Sequence, residues 1–221
     1  MRTDRPHNTL APTTSRGITL RTTTLSLCLS AALLLAVPQQ TRAEADSLPL
    51  RVDDYNTKYD SYFQHYSQRL FGPFVDWRWF KAQAVAESLL NPTAASHAGA
   101  LGVMQLLPRT FQEVRLQHPN FIDIYTPRWN IAAGISYNHT LYRQWNGSLH
   151  GHDRFLLTLA SYNAGFQRVR NAYARTDRVR SYYDIRHRLP EETRLYVERI
   201  KSLMEPKIVD EAPLVAKLSL D

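Results

Sequence analysis

Helical periodicity, broken at intervals by Gly and Pro, runs through residues 55–205 and restricts the fold more than any other feature of the sequence. In the first segment, TKYDSYFQHYSQRLFG, large apolar side chains recur every three or four residues, as on one face of an α-helix; they are Tyr59, Phe63, Tyr66 and Leu70. Gly72-Pro73 then predicts the end of this helix. Since no repeat or low-complexity linker interrupts the pattern, we expect one mainly helical domain.

The same reasoning predicts further helices over 76–90, 108–117, 129–145, 153–174 and 191–204, with a break near Gly165. Between Ser96 and Gly102, glycines and other small residues interrupt the pattern. The following GVMQLL fits either a short strand or an irregular turn. The predicted fold class is therefore mainly α, with at most a small β-hairpin.

The first 45 residues have the composition of an export signal. Arginines, among them Arg2 and Arg21, precede the apolar run LSLCLSAALLLAV, and Ala43-Glu44-Ala45 has the small-x-small form of a cleavage site. We predict a signal peptide over 1–45 and a functional domain over 46–221, with its core at about 56–204. The alternative is an uncleaved membrane anchor, because cleavage cannot be read from the sequence. Either version predicts a periplasmic protein, and the second adds membrane association.

Cys28, the only cysteine, lies inside this apolar run and lacks the preceding small residue that lipid-modified cysteines usually follow. We therefore expect neither a lipid anchor nor, after cleavage, any disulfide. The formal net charge of the whole chain is +7, and the leader holds five of the basic residues. The remaining chain is mildly basic, which suits an anionic polymer as partner.

Seven arginines with interleaved tyrosines lie between Arg168 and Arg188. Such a pattern can bind nucleic acid, but an exported protein rarely meets it. Peptide carboxylates or anionic lipid outside the cytoplasm would balance the same charge, and the alternative is a solvated surface. We therefore expect no nucleic-acid partner.

Glu87 stands on an otherwise apolar helix face. Phe80, Ala84 and Glu87 are spaced i, i+4 and i+7, so the acid shares its face with apolar side chains. Desolvation raises the pKa of a carboxyl, as a general acid at neutral pH requires. The alternative is a helix-terminal Glu that binds a backbone donor or an Arg. The small residues after it and the amide of Gln105 would let a carbohydrate approach closely.

Four sequence blocks resemble the soluble lytic transglycosylase family, whose catalytic domain has the α+β fold of goose-type lysozyme. The first contains Glu87-Ser88, Asn91-Pro92 and Ser96-x-x-Gly99-Ala100-x-Gly102-Val103-Met104-Gln105-Leu106-x-Pro108. The others are Asn130-Ile131-x-x-Gly134, then Ala160-Ser161-Tyr162-Asn163-Ala164-Gly165, and Leu189-Pro190-x-Glu192-Thr193-Arg194-x-Tyr196-Val197. Within the family, Val75-Asp76-Trp77-Arg78 and the aromatic helix before it are most similar to the catalytic module of membrane-bound lytic murein transglycosylase F.

The resemblance implies cleavage of the β-1,4 bond between N-acetylmuramic acid and N-acetylglucosamine in peptidoglycan, with Glu87 as the proton donor. No second acid accompanies Glu87 in the first block, and Asp76 lies about three helical turns away. One acid suffices if the 2-acetamido group stabilises the cationic centre and the 6-hydroxyl attacks, which gives a 1,6-anhydro sugar. The alternatives are a hydrolytic muramidase on the same fold and a non-catalytic peptidoglycan-binding or envelope-assembly protein.

The resemblance also implies a set of substrate-binding residues: Ser96, Met104, Gln105, Tyr162, Asn163, Glu192 and Tyr196. All of them except Gln105 have a simpler alternative. It is a helix-cap or turn residue for Ser96, core packing for Met104 and Tyr162, loop support for Asn163 and a solvated helix face for Glu192 and Tyr196. We expect no cofactor and no metal, because His150-Gly151-His152 lacks a third ligand at metal spacing. Glycan strands are the expected partner of a monomer, with envelope or secretion machinery as a further candidate.

Overall fold

The computed structural model describes residues 50–205. The predictions for the leader and for Cys28 lie outside these residues, as does the part of the predicted domain after 205. A 3-10 turn, Val52–Asp54, precedes eight helices within the described part. They are α1 Asp60–Phe71, α2 Arg78–Ser88, α3 Pro108–Gln117, α4 Pro127–Gln144, α5 Gly151–Ala164, α6 Phe166–Ala174, α7 Tyr182–Arg186 and α8 Glu191–Met204.

The six predicted helices are confirmed, with ends displaced by a few residues. The segment 153–174 divides at Gly165, as expected, into α5 and α6. The short helix α7 was not predicted. Ser181 begins it with a capping box in which its side chain and that of Asp184 satisfy each other's backbone N–H groups, an arrangement that stabilises helix starts.

Across residues 50–205 the backbone forms isolated bridges but no regular strand. Leu101 exchanges two hydrogen bonds with Leu106, of 2.9 and 3.0 Å, and pairs on its other side with Ala95. The small hairpin allowed by the sequence is thus reduced to these bridges, and GVMQLL forms an irregular turn. The mainly helical fold class is confirmed.

The core lies between α5 and the helices packed on it, α4, α6 and α8, while α1 packs on α4 and α2 packs on α8. The predicted stripe of α1 is confirmed, since Tyr59, Phe63 and Tyr66 are buried and Leu70 packs against the core. No helix among residues 50–205 combines the length and apolar character needed to cross a membrane.

Lys81 is an unexpected member of the interior, with 1% of its surface exposed. Its Nζ lies 2.9 Å from Oδ1 of Asp60 and donates to the Tyr55 carbonyl at 3.2 Å. A buried ammonium persists only with such partners. Lys81 therefore ties α2 to the start of α1 and fixes one end of the helix that carries Glu87.

The C-terminal end of α2 turns sharply. Leu89 and Leu90 both have left-handed backbone, with φ of 54° and 63°, which is costly for residues with a Cβ. The Ser88 hydroxyl donates to the Val103 carbonyl at 2.8 Å and holds this end against the loop that follows. The turn thus sets the loop 89–107 beside the last residues of α2.

Candidate active site

A cavity of about 600 Å³ opens beside the last turn of α2. Its walls are the end of α2, the loop before α3, the end of α5 and one face of α8. The lining residues are Ala86, Glu87, Ser96, Ala98, Ala100, Gln105, Leu107, Tyr162, Asn163, Glu192, Leu195, Tyr196 and Arg199. The structure therefore brings together seven of the eight site residues named from the sequence.

Glu87 lies at the bottom of this cavity. Phe80 and Ala84, which share its helix face, are fully buried, as the spacing predicted. Glu87 is half-buried, and part of its surface faces the cavity. Protein surrounds the carboxyl group, and this burial raises the pKa of Glu87 from 4.5 to about 7. The Tyr196 hydrogen bond acts in the opposite direction, and the negative charge of Glu192 raises the pKa further. At neutral pH the carboxyl is thus divided between its acid and base forms.

Tyr196 on α8 is the direct partner of the acid. Its hydroxyl donates to Oε1 of Glu87 at 2.6 Å, a short bond of the charge-assisted type. Burial raises the pKa of Tyr196 well above its ordinary value, and the charge of Glu87 and their hydrogen bond add to this, so the phenol stays a donor. The packing of α8 on α2 brings these two side chains together.

Gln83, one turn before Glu87, lies beneath this pair and was missed by the sequence analysis. It is fully buried, and its Oε1 accepts a 2.8 Å hydrogen bond from Asn138 Nδ2. Its Nε2 makes no regular hydrogen bond within residues 50–205 but is close enough to Tyr196 to lower that hydroxyl's pKa. The i, i+4 spacing from Glu87 was the signal that could have identified it.

Tyr162 reaches the cavity from α5 without bonding to the acid. Its hydroxyl donates to the Met104 carbonyl at 2.8 Å. Burial raises the pKa of Tyr162, and the negative charge of nearby Glu87 raises it further. Tyr162 is therefore a neighbour of Glu87 and a support for the loop.

Two predicted cleft residues use their side chains to shape the loop as well as to line the cavity. Ser96 Oγ accepts from the Ala100 N–H at 3.0 Å. Gln105 Nε2 donates to the carbonyls of Gly102 and Ala94 at 2.9 and 3.2 Å. Within the described residues Oε1 of Gln105 has no hydrogen-bond donor, so it is available to a ligand.

Met104 does not line the cavity, contrary to the prediction. Its side chain is fully buried and packs so tightly on Gly134 that a Cβ there would lie 2.8 Å from Met104 Cβ. Its backbone N–H donates to Asn130 Oδ1 at 2.7 Å. Met104 thus fastens the loop to α4, and the simpler alternative of core packing describes its side chain.

Asn163 and Glu192 complete the wall opposite the loop. Asn163 Oδ1 accepts from the Thr193 hydroxyl at 2.7 Å, which joins α5 to α8. Glu192 is exposed and places a second carboxyl in the cavity, so Glu87 is not the only acid there. Asp76 is not among the lining residues and is held by the Arg78 guanidinium at 2.8 Å.

The model of the transglycosylase SLT domain family matches residues 66–185, a range that covers more than half of the chain and holds Glu87, the loop and Tyr162. The chain belongs to the SLT family. Its α8, with Glu192 and Tyr196, lies beyond the matched range.

Named SLT-type relatives support this assignment. The chain is 32% identical over 143 residues to membrane-bound lytic murein transglycosylase F of Vibrio vulnificus, a match covering 63% of this chain and 25% of that protein. Over 97 residues it is 35% identical to the protein of the same name from Desulfosudis oleivorans, with 44% and 20% covered. The chain therefore spans about a quarter or less of the length of these relatives.

Solved structures have the same fold. An inactive mutant of the lytic transglycosylase Slt from Pseudomonas aeruginosa superposes with a TM-score of 0.56 at 25% identity, covering 68% of this chain and 24% of that one. A complex of the 70-kDa soluble lytic transglycosylase with bulgecin A gives 0.55 at 25% identity, covering 70% and 26%. The SLT fold expected from the sequence blocks is thus confirmed.

The lining residues that were not among the predicted site residues include Leu107, Leu195 and Arg199. Leu107 and Leu195 expose 45% and 62% of their surface, so apolar side chains rim the cavity. Arg199 follows Tyr196 by three residues, which places both on one face of α8. Among residues 50–205 its guanidinium makes only one hydrogen bond, a long one of 3.5 Å to the Ala86 carbonyl.

Proposed function

We propose that the protein is a lytic transglycosylase that cleaves the β-1,4 bond between N-acetylmuramic acid and N-acetylglucosamine in peptidoglycan. The observation that carries this proposal is the enclosed carboxyl of Glu87, with a pKa of about 7, in the cavity of an SLT domain. The names of its relatives, lytic murein transglycosylases, support the same substrate.

In the first step protonated Glu87 gives its proton to the glycosidic oxygen as the bond from C1 to that oxygen breaks. The carbonyl oxygen of the substrate's 2-acetamido group bonds to C1 and carries the developing positive charge. The leaving sugar departs with a free 4-hydroxyl. The hydrogen bond from Tyr196 then stabilises the carboxylate left on Glu87.

In the second step the Glu87 carboxylate takes the proton of the muramic acid 6-hydroxyl while O6 bonds to C1 and the acetamido oxygen leaves. The product is a 1,6-anhydro sugar, no water enters, and Glu87 regains the proton it lost. A group that both donates and accepts works best with a pKa near the working pH. We assign substrate binding to Ser96, Gln105, Tyr162, Asn163 and Glu192, with Met104 acting through the loop backbone.

Hydrolysis on the same fold is the second candidate, and the carboxyl of Glu192 in the cavity is the observation that favours it. Glycosidases that use water generally pair two carboxyls, one of which can activate water or attack C1. Here the exposed Glu192 would be that group. The mass of the released muropeptides decides between the two, because hydrolysis products are heavier by one water.

The decisive experiment is digestion of purified sacculi by wild type and by Glu87→Gln. We expect anhydro muropeptides from wild type and a loss of at least about a hundredfold in the variant, because the amide keeps the shape but has no transferable acid proton. The control is Glu191→Gln, the same substitution at an exposed glutamate of α8. Glu191 is next to Glu192 in the sequence but does not line the cavity. Unchanged release by Glu87→Gln rejects the mechanism, and no release by wild type favours a binding protein.

We further propose that the protein is exported to the periplasm, acts as a monomer and contacts glycan strands, with envelope or secretion machinery as an additional partner. The basic, then apolar composition of residues 1–45 supports export, and the relatives named above are called membrane-bound. Fractionation of cells that produce a tagged full-length chain tests this. Recovery in the cytoplasm alone, with an unprocessed N-terminus, contradicts it.

A further inference from the structure

A second cavity, of about 510 Å³, is strongly basic. It is lined by Arg168, Asn171, Ala172, Arg175, His187 and Arg188. None of the residues that line the first cavity takes part in it. The catalytic proposal therefore leaves this basic cavity without a role.

The wall on α6 follows directly from helix geometry. Arg168, Asn171, Ala172 and Arg175 are spaced i, i+3, i+4 and i+7, so they share one face of the helix and its end. Ala172 is buried and small, which leaves a hollow between the longer side chains. His187 and Arg188, in the connection from α7 to α8, face this hollow from the other side.

The polar groups around the hollow are mainly hydrogen-bond donors. Within residues 50–205 the guanidinium groups of Arg168, Arg175 and Arg188 have no hydrogen bond, ion pair or ring contact, and no carboxylate lines the cavity. Oδ1 of Asn171 already accepts from Gln167 Nε2 at 2.8 Å, so its amide hydrogens remain. Arginine stays charged at any physiological pH, and all three side chains are exposed, so their donors are accessible to an anion from solution.

Three surface arginines outside the basic cavity have acidic partners. Arg78 pairs with Asp76, Arg109 with Glu113, and Arg186 with Glu198. No acid takes this place among the residues that line the basic cavity. The guanidinium fork fits planar or tetrahedral oxyanions with two parallel hydrogen bonds, so the missing counter-charge is an oxyanion of a ligand.

We propose that the basic cavity binds the carboxylates of the peptide stem carried by the glycan substrate. This inference rests on the proposed function and adds a subsite to it. Asn163, in the first cavity, precedes Arg168 by five residues, so their Cα atoms are at most about 18 Å apart. An extended stem of four or five residues spans about 13–18 Å, so a stem on a bound strand is long enough to reach Arg168.

The test compares Arg168→Gln/Arg175→Gln with wild type on two substrates, peptidoglycan that carries its stems and glycan strands from which an amidase has removed them. We expect KM to rise about tenfold on the first substrate and to stay unchanged on the second. The matched control is Arg170→Gln, which removes one charge from the other face of α6, where Arg170 lies over the Phe166 ring. This control is expected to leave both KM values unchanged.

Equal losses on both substrates indicate damage to the fold and overturn the proposal, as does an unchanged KM on both. Vesicles containing phosphatidylglycerol provide a further arm. If the double variant loses binding to these vesicles while its KM on stem-bearing peptidoglycan is unchanged, the ligand is a lipid phosphate and the peptide-stem assignment is wrong.

A binding measurement separates this proposal from the catalytic one. A synthetic stem tetrapeptide is titrated calorimetrically into the Glu87→Gln protein, which requires no turnover. We expect about tenfold weaker binding when Arg168→Gln and Arg175→Gln are added, and no change with Arg170→Gln. If the peptide binds in this way while wild type releases no product, the proposed activity fails and the basic site stands. Absence of peptide binding by the Glu87→Gln protein overturns the basic site.

Discussion

Glu87 is subject to opposing influences that leave its pKa near 7. Burial raises the pKa most, the hydroxyl of Tyr196 lowers it by stabilising the carboxylate, and the charge of Glu192 raises it again. A catalytic group that must both lose and regain a proton needs such a balance. The hydrogen bond from Tyr196 is the contact that lowers the pKa of Glu87 against the effect of burial.

Replacing Tyr196 by Phe should therefore raise the pKa of Glu87. A hydrogen bond to a charged group contributes about 1.5–3 kcal/mol, so the basic limb of the kcat/KM profile should move upward by about one to two pH units. The measurement is kcat/KM against pH on soluble glycan strands.

Tyr162→Phe is the matched control for this change. The Tyr162 hydroxyl donates to the Met104 carbonyl, not to Glu87. Its removal should leave the basic limb in place even if the rate falls. A Tyr196→Phe profile with the same basic limb as wild type would show that the hydrogen bond does not set the pKa of Glu87.

At the level of single residues the sequence indicated the acid and most of its surroundings. Glu87 was placed on a buried helix face by periodicity, and the family blocks supplied Gln105, Tyr162 and Tyr196. The side chain of Met104 was misplaced, because a motif records that a position is part of a loop but not which way its side chain points. Gln83 was missed because its role depends on α8, which is distant in the sequence.

The loop 89–107 is the element on which the shape of the site depends, and Asn130 of α4 holds it. Asn130 is fully buried, and its amide donates to the carbonyls of Leu101 and Ile124 at 2.9 and 3.0 Å while its oxygen accepts from the Met104 N–H. Gly102 passes directly over this side chain. A Cβ on Gly102 would lie 2.6 Å from Asn130 Nδ2.

Gly102→Ala should consequently disrupt the loop. Its φ of 75° disfavours any residue with a Cβ, and displacement of Asn130 would leave buried backbone groups unpaired, at about 1–3 kcal/mol each. We expect a loss of about 2–4 kcal/mol in the free energy of unfolding and a marked loss of activity, measured by urea denaturation and by muropeptide release.

Gly99→Ala is the control that separates the clash with Asn130 from the cost of a Cβ at positive φ. Gly99 has a similar φ of 81°, but nothing lies within 4 Å of an added Cβ. It should cost only about 1–2 kcal/mol, the penalty for left-handed backbone. If the two variants lost equal stability, the packing of Gly102 on Asn130 would not be what maintains the loop.

Secondary structure was predictable wherever a helix has a long apolar stripe and a Gly or Pro boundary, as in α1 and at the division between α5 and α6. The five-residue helix α7 lacks such a stripe and depends on the capping pair Ser181 and Asp184. Burial of Lys81 could not be predicted either. A lysine in a helix normally indicates a solvent-exposed position. Lys81 meets its partner Asp60 only because α2 packs against α1.

For the molecule as a whole, an acid kept in its protonated form makes stability depend on pH. Glu87 has an ordinary pKa of 4.5 when unfolded and about 7 when folded. Its contribution is complete below pH 4.5, decreases as the pH rises from 4.5 to 7, and is lost above 7. A difference of this size corresponds to about 3 kcal/mol.

Glu87→Gln should therefore become more stable relative to wild type as the pH rises from 4 to 8, by about 3 kcal/mol, because the amide never ionises. Urea denaturation of both proteins at several pH values provides the measurement. Glu191→Gln, which changes an exposed carboxyl, should follow the wild-type curve. Parallel curves for wild type and Glu87→Gln would contradict the raised pKa.

Glu87 and its donor Tyr196 are 109 residues apart in the sequence, and this separation has a consequence for synthesis. A growing chain that has emerged only as far as α7 already contains the acid but has neither the phenol beside it nor the α8 wall. An interrupted or degraded copy of that length therefore lacks half of the acid–donor pair on which the proposed function depends. Such a fragment is expected to be inactive.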